Sequence, residues 1–538
     1  MRPVLRMCGR HGISLGSSRQ NGEVEGASMR VLASGMIGRI AALAVLACAV
    51  LGLSASAAFA EESEQFKTER LAAQNLGVQA YIYGQPLLDS QRIYQTITGV
   101  TKPDTQGDAP VNQFSHLQTL STTKEGCVVA PNADTLYSIA ELQLKPHPIV
   151  IHVPATEPER LNVVEMLSPY TENFATIGSQ TSGLVPPGDY AIAGPGRFSA
   201  TEEIDGLKVI HSPYNQVWLI ARTVVKNPAD LATARAIQAE EKLVPLNKWN
   251  SQGLGYEAPT SEEKTTTTCA HIPGTVLGEN QLLYWKALGK ELKLFPPPAA
   301  DKPILESLAA VHIGPGMHPT KGNVSPATLQ GLREAVTLGP GQVLQDVKAN
   351  IEASFLPHNG WLVAGLGNYG TNYVQRVETD RLGVGAPTPN LSIYPLALTD
   401  RNGVKLTGLG SRYVVHFPAG DFPVPVQAFW SLTLYESNGF FVANPLERYT
   451  LGDRSNLHFN GDGSMDIYVQ TTEPSTEAQR DNWLPAPAGG FQMIMRLYGV
   501  PAATIPGILE GGPGNWQPPT ILPCLESGKT ATGWDCAS

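Results

Sequence analysis

Short runs with a two-residue period constrain this chain more than any other feature. Leu161, Val163, Glu165 and Leu167 alternate with Asn162, Val164 and Met166. Val217, Leu219, Ala221 and Thr223 alternate with Trp218, Ile220 and Arg222. Phe429, Ser431, Thr433 and Tyr435 alternate with Trp430, Leu432 and Leu434, and the pattern returns over 465–469 and 491–498. Successive side chains of a strand point to opposite faces, so these runs read as strands. Turn signals such as Pro186-Pro187-Gly188, Asn402-Gly403 and Gly461-Asp462-Gly463 separate them. Low charge (16%) with 53 Gly and 43 Pro favours turns and strands over long solvated helices.

The strand runs fall in two groups, 127–225 and 390–500. Helical periodicity covers the rest. Over 62–95 Leu71, Val78 and Ile82 share a face, Gly84-Gln85-Pro86 breaks or kinks the helix, and a second short helix carries Leu87, Leu88 and Ile93. Asp230–Leu243 and Asn280–Leu292 read as helices, and Ser251–Thr268 as a surface loop. Residues 301–356 are helical, with an apolar stripe of Leu344, Val347, Ile351 and Phe355. The expected fold is multidomain α+β and β-rich. It has two antiparallel β-sandwich or jelly-roll-like modules with helical N-terminal and linker segments. The expected divisions are 1–60, an upstream extension and signal peptide; 61–300, an N-terminal domain with a helical start and a β module; 301–356, a helical linker bridging the β modules; and 357–538, a C-terminal β-sandwich.

Residues 29–60 read as an export signal. Arg30 and Arg39 are basic, Ile40–Leu53 is an unbroken run of 14 apolar or small residues, and Ala58-Phe59-Ala60 is a small-x-small cleavage site. The run falls short of the about 20 residues of a membrane span. Cleavage after Ala60 predicts a periplasmic or secreted protein with no membrane span in the mature chain. It leaves 478 residues with 32 basic and 46 acidic side chains, a net charge of −14. Nucleic acid is excluded as a partner, because phosphate contacts need clustered Lys and Arg. Cys127, Cys269, Cys524 and Cys536 remain, and three pairings are open in an oxidising compartment. A Cys524–Cys536 bridge is favoured, since its short loop staples the terminus. No metal-ligand spacing, phosphate-binding loop, dinucleotide fingerprint or nucleophile elbow is present, so the expectation is a protein without metal or cofactor.

Polar residues concentrate in Pro131-Asn132-Ala133-Asp134-Thr135-Leu136-Tyr137-Ser138. A catalytic reading makes Asp134 a general acid or base and Tyr137 a donor, with Asn132 and Ser138 as binding groups. A plainer reading has Asn132 and Asp134 satisfying turn amides. Arg222 shares a strand face with Trp218 and Ile220. Unpaired burial costs several kcal/mol, so Asp134 or Glu165 is its expected partner. Tyr170 and Asn173 lie just past a strand end, where binding groups collect. Trp430, Trp483 and Trp516 read as core or as a carbohydrate platform.

The chain resembles a bacterial family that fuses two domains of unknown function, numbered 1254 (N-terminal) and 1214 (C-terminal). The resemblance rests on Ala80–Pro86, Val111–Phe114, Pro131–Ser138, Thr171–Phe174 and Ala221–Thr223 for the first. For the second it rests on Arg412–Tyr413, Phe417–Gly420, Ala428–Tyr435, Asn444–Tyr449, Asp462–Ser464, Asn482–Pro487, Arg496–Tyr498 and Trp516–Pro519. The resemblance implies two sandwich-like modules with helical segments and no settled reaction. The chain departs from the family pattern at Leu161, where an aromatic residue is common, and at Ser168, where Asp is common.

Two functions follow as expectations. One is an exported, cofactor-free hydrolase or lyase with a polar cleft in the N-terminal β module. There Asp134 is the acid or base, and Tyr137 and Arg222 hold developing negative charge. The other is a non-catalytic envelope accessory that binds a small molecule or glycan on exposed aromatics. Nothing in the chain specifies a homodimer, which stays open.

Overall fold

A computed structural model describes residues 63–124, 130–179, 184–196, 198, 200–260, 281–354, 356–526 and 534–536. The predicted export signal, Cys127, Cys269 and Phe355 lie outside the described residues.

Helix α1 spans Glu64–Ile97, and its N-cap Ser63 accepts a hydrogen bond from the Phe66 N–H. The break expected at Pro86 does not occur: one helix runs through it. Packing holds the helix together around the proline, since Gly84, Pro86, Leu87 and Leu88 are all buried. A Cβ on Gly84 would stand 2.6 Å from Leu288 Cδ1, so glycine admits a neighbouring helix there. Leu71, placed on the buried face by periodicity, is 39% exposed; Ala73, Gly77, Ala80 and Tyr81 face inward instead.

Eight further α-helices follow among the described residues: α2 Leu231–Glu240, α3 Leu246–Gln252, α4 Leu282–Leu294, α5 Lys302–Ala309, α6 Pro326–Ser354, α7 Tyr373–Gly383, α8 Glu477–Asp481 and α9 Ile505–Glu510. Helices α1, α4, α5, α6 and α7 contribute to one core that includes Tyr81, Trp285, Leu288, Leu308, Leu332, Val336 and Val377. Helices α5 and α6, within the 301–356 segment, thus pack in one helical body with α1. Leu344 of its predicted stripe is 58% exposed, while Leu332, Ala335, Val336, Val343 and Val347 are buried.

The first sandwich holds ten strands: β1 Ser115–His116, β2 Thr135–Gln143, β3 Ile149–Val153, β4 Asn162–Leu167, β5 Asn173–Gly178, β6 Gly188–Ala193, β7 Glu203–Ile204, β8 Leu207–His211, β9 Gln216–Val224 and β10 Lys242–Pro245. One sheet runs β1-β2-β9-β4-β5 and the other β10-β3-β6-β8-β7. Ala140, Leu142, Val164, Met166 and Leu219 of the first pack on Ile149, Ile151 and Ile192 of the second. The β6–β8 pair is parallel, so the second sheet is mixed rather than antiparallel throughout. Lys242 and Leu243, expected to end a helix, instead open β10, which pairs with β3; Glu241 is already extended at φ −64, ψ 126.

The second sandwich holds β11 Leu356–His358, β12 Trp361–Val363, β13 Ser392–Ile393, β14 Leu396–Ala397, β15 Arg412–Phe417, β16 Phe429–Glu436, β17 Thr450–Gly452, β18 Met465–Gln470, β19 Trp483–Pro485, β20 Phe491–Tyr498, β21 Thr520–Glu526 and β22 Trp534–Cys536. Its sheets run β11-β12-β14-β20-β16-β17, with β13 also on β20, and β19-β18-β15-β21-β22. The β18–β19 pair is parallel. Leu432, Leu434, Met493 and Met495 pack against Val415, Ile467 and Val469 across the core. Trp430 joins this core, and Trp483 is buried. Cys524 is disulfide-bonded and stands opposite Cys536 in the β21–β22 register.

The two sandwiches meet through outer sheet faces, where Leu161, Val163 and Val224 contact Leu391, Phe429 and Tyr498. Among the described residues no helix is long and apolar enough to cross a membrane.

Candidate functional site

Strands β2 and β9 pair antiparallel with Tyr137 opposite Arg222, Ile139 opposite Ile220 and Glu141 opposite Trp218. Directly paired residues share a sheet face. The alternate residues, including Ala140, Leu219 and Ala221, go to the sandwich core, so this set lines the outer face. Arg222, Ile220 and Glu141 are buried, while Tyr137, Ile139 and Trp218 keep partial exposure.

Arg222 stands at one end of this row, 6% exposed. Its Nε donates to Glu165 Oε2 at 2.6 Å, Nη1 to Tyr137 Oη at 2.7 Å and Nη2 to the Gly385 carbonyl at 2.8 Å. Burial opposes its charge, yet Glu165 and the surrounding phenols Tyr137, Tyr498 and Tyr394 hold its pKa well above the ordinary value. Glu165 also accepts from Asn173 Nδ2 at 3.1 Å. Of the two partners expected for Arg222, the structure selects Glu165.

Asp134 engages the second sandwich. Its N–H donates to Asn132 Oδ1 at 2.7 Å, the turn hydrogen bond expected of an Asn–x–Asp pair. Its carboxylate accepts from Ser431 Oγ at 2.6 Å and from Arg454 Nη2 at 2.5 Å. The Arg454 guanidinium lies 4.2 Å from the Phe429 ring centroid. Asn132 Nδ2 donates to Tyr498 Oη at 3.3 Å, and the Tyr498 and Tyr394 hydroxyls are 2.7 Å apart. Beside them the buried Arg496 donates to Thr433 Oγ1, Tyr435 Oη and the Ala130 carbonyl at 2.8, 2.6 and 3.0 Å. Tyr435 in turn donates to the Pro131 carbonyl at 2.7 Å. Burial pushes the Tyr435 phenol up to about 12. The polar groups expected inside the N-terminal module thus belong to a seam built by both sandwiches.

The other predicted residues lie elsewhere. Ser138 points to the opposite face of β2, fully buried, with its Oγ 2.9 Å from His116 Nδ1. Gln238 Nε2 donates to the same Oγ at 3.2 Å, and Glu241 Oε2 is 3.9 Å from His116 Nδ1. Burial raises the Glu241 carboxyl to about 8 and lowers His116 to about 4. Tyr170 belongs to the helical body. It donates to the Phe295 carbonyl at 2.9 Å, and its ring lies 5.6 Å from the buried Arg376 guanidinium. Asn173 joins the Arg222 group through Glu165, whereas Tyr170 does not. Among the described residues no group of three or more His, Cys, Asp or Glu is placed to hold a metal ion.

Sequence reasoning missed Arg454, Arg496, Tyr394 and Glu141. The signal available was parity: Glu141 lies four residues from Tyr137 along one alternating strand, and Arg496 stands at an outward position between the core residues Met495 and Leu497.

The profile for Protein of unknown function (DUF1254) matches residues 111–245, and that for Protein of unknown function (DUF1214) matches residues 391–502. The chain carries both domains, in that order. The DUF1254 match covers β2, β4, β9 and the Asn132–Ser138 segment; the DUF1214 match covers Tyr394, Ser431, Arg454, Arg496 and Tyr498. The seam is therefore the junction of the two domains. No curated protein matches the chain. Among solved structures it is similar to the VPA0106 protein from Vibrio parahaemolyticus, with 22% identity and a TM-score of 0.58 over 84% of this chain and 99% of that one. A putative uncharacterized protein from Burkholderia cenocepacia aligns with 11% identity and a TM-score of 0.38, covering 85% of this chain and 95% of that one. The Vibrio likeness concerns the fold.

Proposed function

We propose that the protein is an exported envelope or extracellular accessory that binds a small molecule or glycan, without turning it over, on the sheet face that carries Tyr137, Ile139 and Trp218. The observation that carries this reading is the partial exposure of those three residues on an otherwise buried face. The carboxylates at the Arg222 end support binding over catalysis. Asp134 is engaged by Arg454 and Ser431, and Glu165 by Arg222 and Asn173. A general base must reach the substrate, and both carboxylates are buried, Asp134 at 3% and Glu165 at 0% exposure. Tyr137 accepts from Arg222, which leaves its own proton to donate to a ligand. The test is titration of the mature protein with maltotriose and N,N′-diacetylchitobiose, followed by tryptophan fluorescence, with mass spectrometry of the sugar after long incubation. Saturable binding with intact sugar supports the proposal; conversion to products overturns it. N-terminal sequencing of protein recovered from the periplasm or medium tests export, with Glu61 expected first.

A second reading, a hydrolase, rests on the 2.9 Å pairing of Ser138 Oγ with His116 Nδ1 and on Glu241 nearby. Labelling of Ser138 by a fluorophosphonate, absent in Ser138→Ala, is the result that favours it over the first.

A further inference from the structure

Helix α5 and the segments before and after it enclose an open hollow of about 340 Å³. Its walls include Pro297, Pro298, Leu305, Ile313, Pro315 and Met317. Of its lining residues only Lys302 and Glu306 carry charge. The volume falls within the roughly 300–1,000 Å³ of pockets that take small ligands.

The sequence makes these walls stiff. Pro296-Pro297-Pro298 follows α4, and each ring fixes its own φ. The 313–317 loop lies directly on α4. The Gly316 N–H donates to the Gly289 carbonyl at 2.7 Å, and a Cβ on Gly289 would stand 2.0 Å from the Met317 carbonyl oxygen. Ile313 belongs to the buried core of the helical body, together with Leu292 and Leu308. A ligand meets a wall already formed, so little ordering entropy opposes binding.

Charge reverses sign around this hollow. The whole chain carries −10. Between 286 and 321 stand Lys286, Lys290, Lys293, Lys302 and Lys321 against Glu291, Asp301 and Glu306, a net of +2. Two of the three acids are turned inward. Asp301 is buried and accepts from the Tyr83 and Tyr373 hydroxyls at 3.0 Å each. Glu291 is buried and pairs with Lys290 at 2.9 Å. Glu306 lies 3.6 Å from Lys302, but the two side chains are 66% and 76% exposed, and such pairs hold weakly in water. Lys286, Lys293 and Lys321 have no ion pair among the described residues. The Lys293 stem runs beside the wall, since a Cβ on Gly316 would stand 3.2 Å from its Cδ. Lys286 and Lys321 come near His318, which follows Met317: burial, and after it these two charges, lower the His318 pKa.

Wall and rim together select a class of ligand. No lining residue has a hydroxyl or amide side chain, so a polyhydroxylated molecule would lose hydrogen bonds to water without replacement. An ammonium ligand would meet the lysines. An apolar body buries its surface against the prolines, Leu305 and Met317, while a negative head stays at the rim by Lys293 and Lys302. We propose that the hollow binds an amphiphilic anion, a carboxylate or sulfonate carried on an apolar body. None of its lining residues belongs to the sheet face of Tyr137, and the inference does not rest on the function proposed for that face.

Isothermal titration of the full mature chain with octanoate, octanol and octylamine tests this. Octanoate is expected to bind, to weaken as NaCl is added, and to bind about tenfold more tightly than octylamine. Lys293→Gln combined with Lys302→Gln weakens octanoate about fivefold and leaves octanol unchanged. Ala309 lines the hollow and is exposed, so Ala309→Trp fills it, abolishes octanoate binding and keeps the Tm within about 2 °C. Equal affinity for octanoate and octylamine overturns the proposal, and so does wild-type octanoate affinity in Ala309→Trp. Should that variant fold poorly, the lysine pair still decides, since unchanged octanoate affinity there overturns it. A wild-type chain that ignores free octanoate overturns it outright; sedimentation of that chain with phosphatidylglycerol vesicles would assign the patch to a membrane contact instead.

Discussion

Asp134 of the first sandwich and Arg454 of the second meet at 2.5 Å, an ion pair bridging residues 320 positions apart. Asp134 is 3% exposed, and Ser431 Oγ holds its second oxygen at 2.6 Å. Removing one member leaves the other charge in a place built for two. Asp134→Ala is expected to cost about 3 kcal/mol. Adding Arg454→Met should recover part of that loss, because the guanidinium, left with Asp453 and the Val225 carbonyl, goes with it. Urea denaturation of the single and double variants measures the coupling; strict additivity would sink the assignment.

Arg222 and Glu165 form the second buried pair, inside one sheet. Arg222→Met leaves Glu165 facing apolar neighbours and is expected to destabilise by about 3–5 kcal/mol. Glu165→Gln in the same chain should restore stability toward wild type, since a neutral amide still accepts from Asn173. Equal midpoints for the single and double variants in guanidinium unfolding would contradict the pairing.

The pH dependence follows from the Ser138 face. Burial raises Glu241 in the folded chain from 4.5 to about 8. The neutral carboxyl therefore contributes stability that is complete below about 4.5 and is lost as pH rises toward 8. His116 runs the other way, lowered from 6.5 to about 4. Its contribution is complete above 6.5 and is lost as pH falls through 4. Glu241→Gln should flatten the alkaline limb of a stability–pH curve and leave the acid limb in place. Thermal melts between pH 4 and 9 check this, and an unchanged alkaline slope in the variant would refute it.

Gly385 sits where its carbonyl receives Arg222 Nη2 at 2.8 Å. Its φ is +81, and a Cβ would stand 2.4 Å from Ile220 Cδ1. Gly385→Ala therefore combines a disfavoured backbone with a clash and should cost about 2–3 kcal/mol. A Tm within a degree of wild type would show that this segment moves freely.

Strands were the legible part of this fold. The run 161–167 became β4 at 162–167, 217–223 became β9 at 216–224, and 429–435 became β16 at 429–436. A two-residue period survives in sequence because each face meets a uniform environment. Helix faces were read less well. Leu71 and Leu344 fit an apolar stripe but are exposed, because glycines and alanines set where α1 meets its neighbours. In the site, the choice of Arg222 partners had narrowed to two residues, and one was right. The Asp134 partner lay 320 residues away, and no spacing rule reaches that far. Glu141 drew no notice because a lone acid in a strand looks ordinary until its neighbours are placed.

Strand β2 assigns duties by parity. Positions 137, 139 and 141 look toward the outer face of the sheet, while 136, 138, 140 and 142 look away from it into packed interior. Substitution at the first set can retune what that face accepts while the scaffold beneath stays as it was. Deleting a single residue from this strand would exchange the two sets, abolishing scaffold and recognition together.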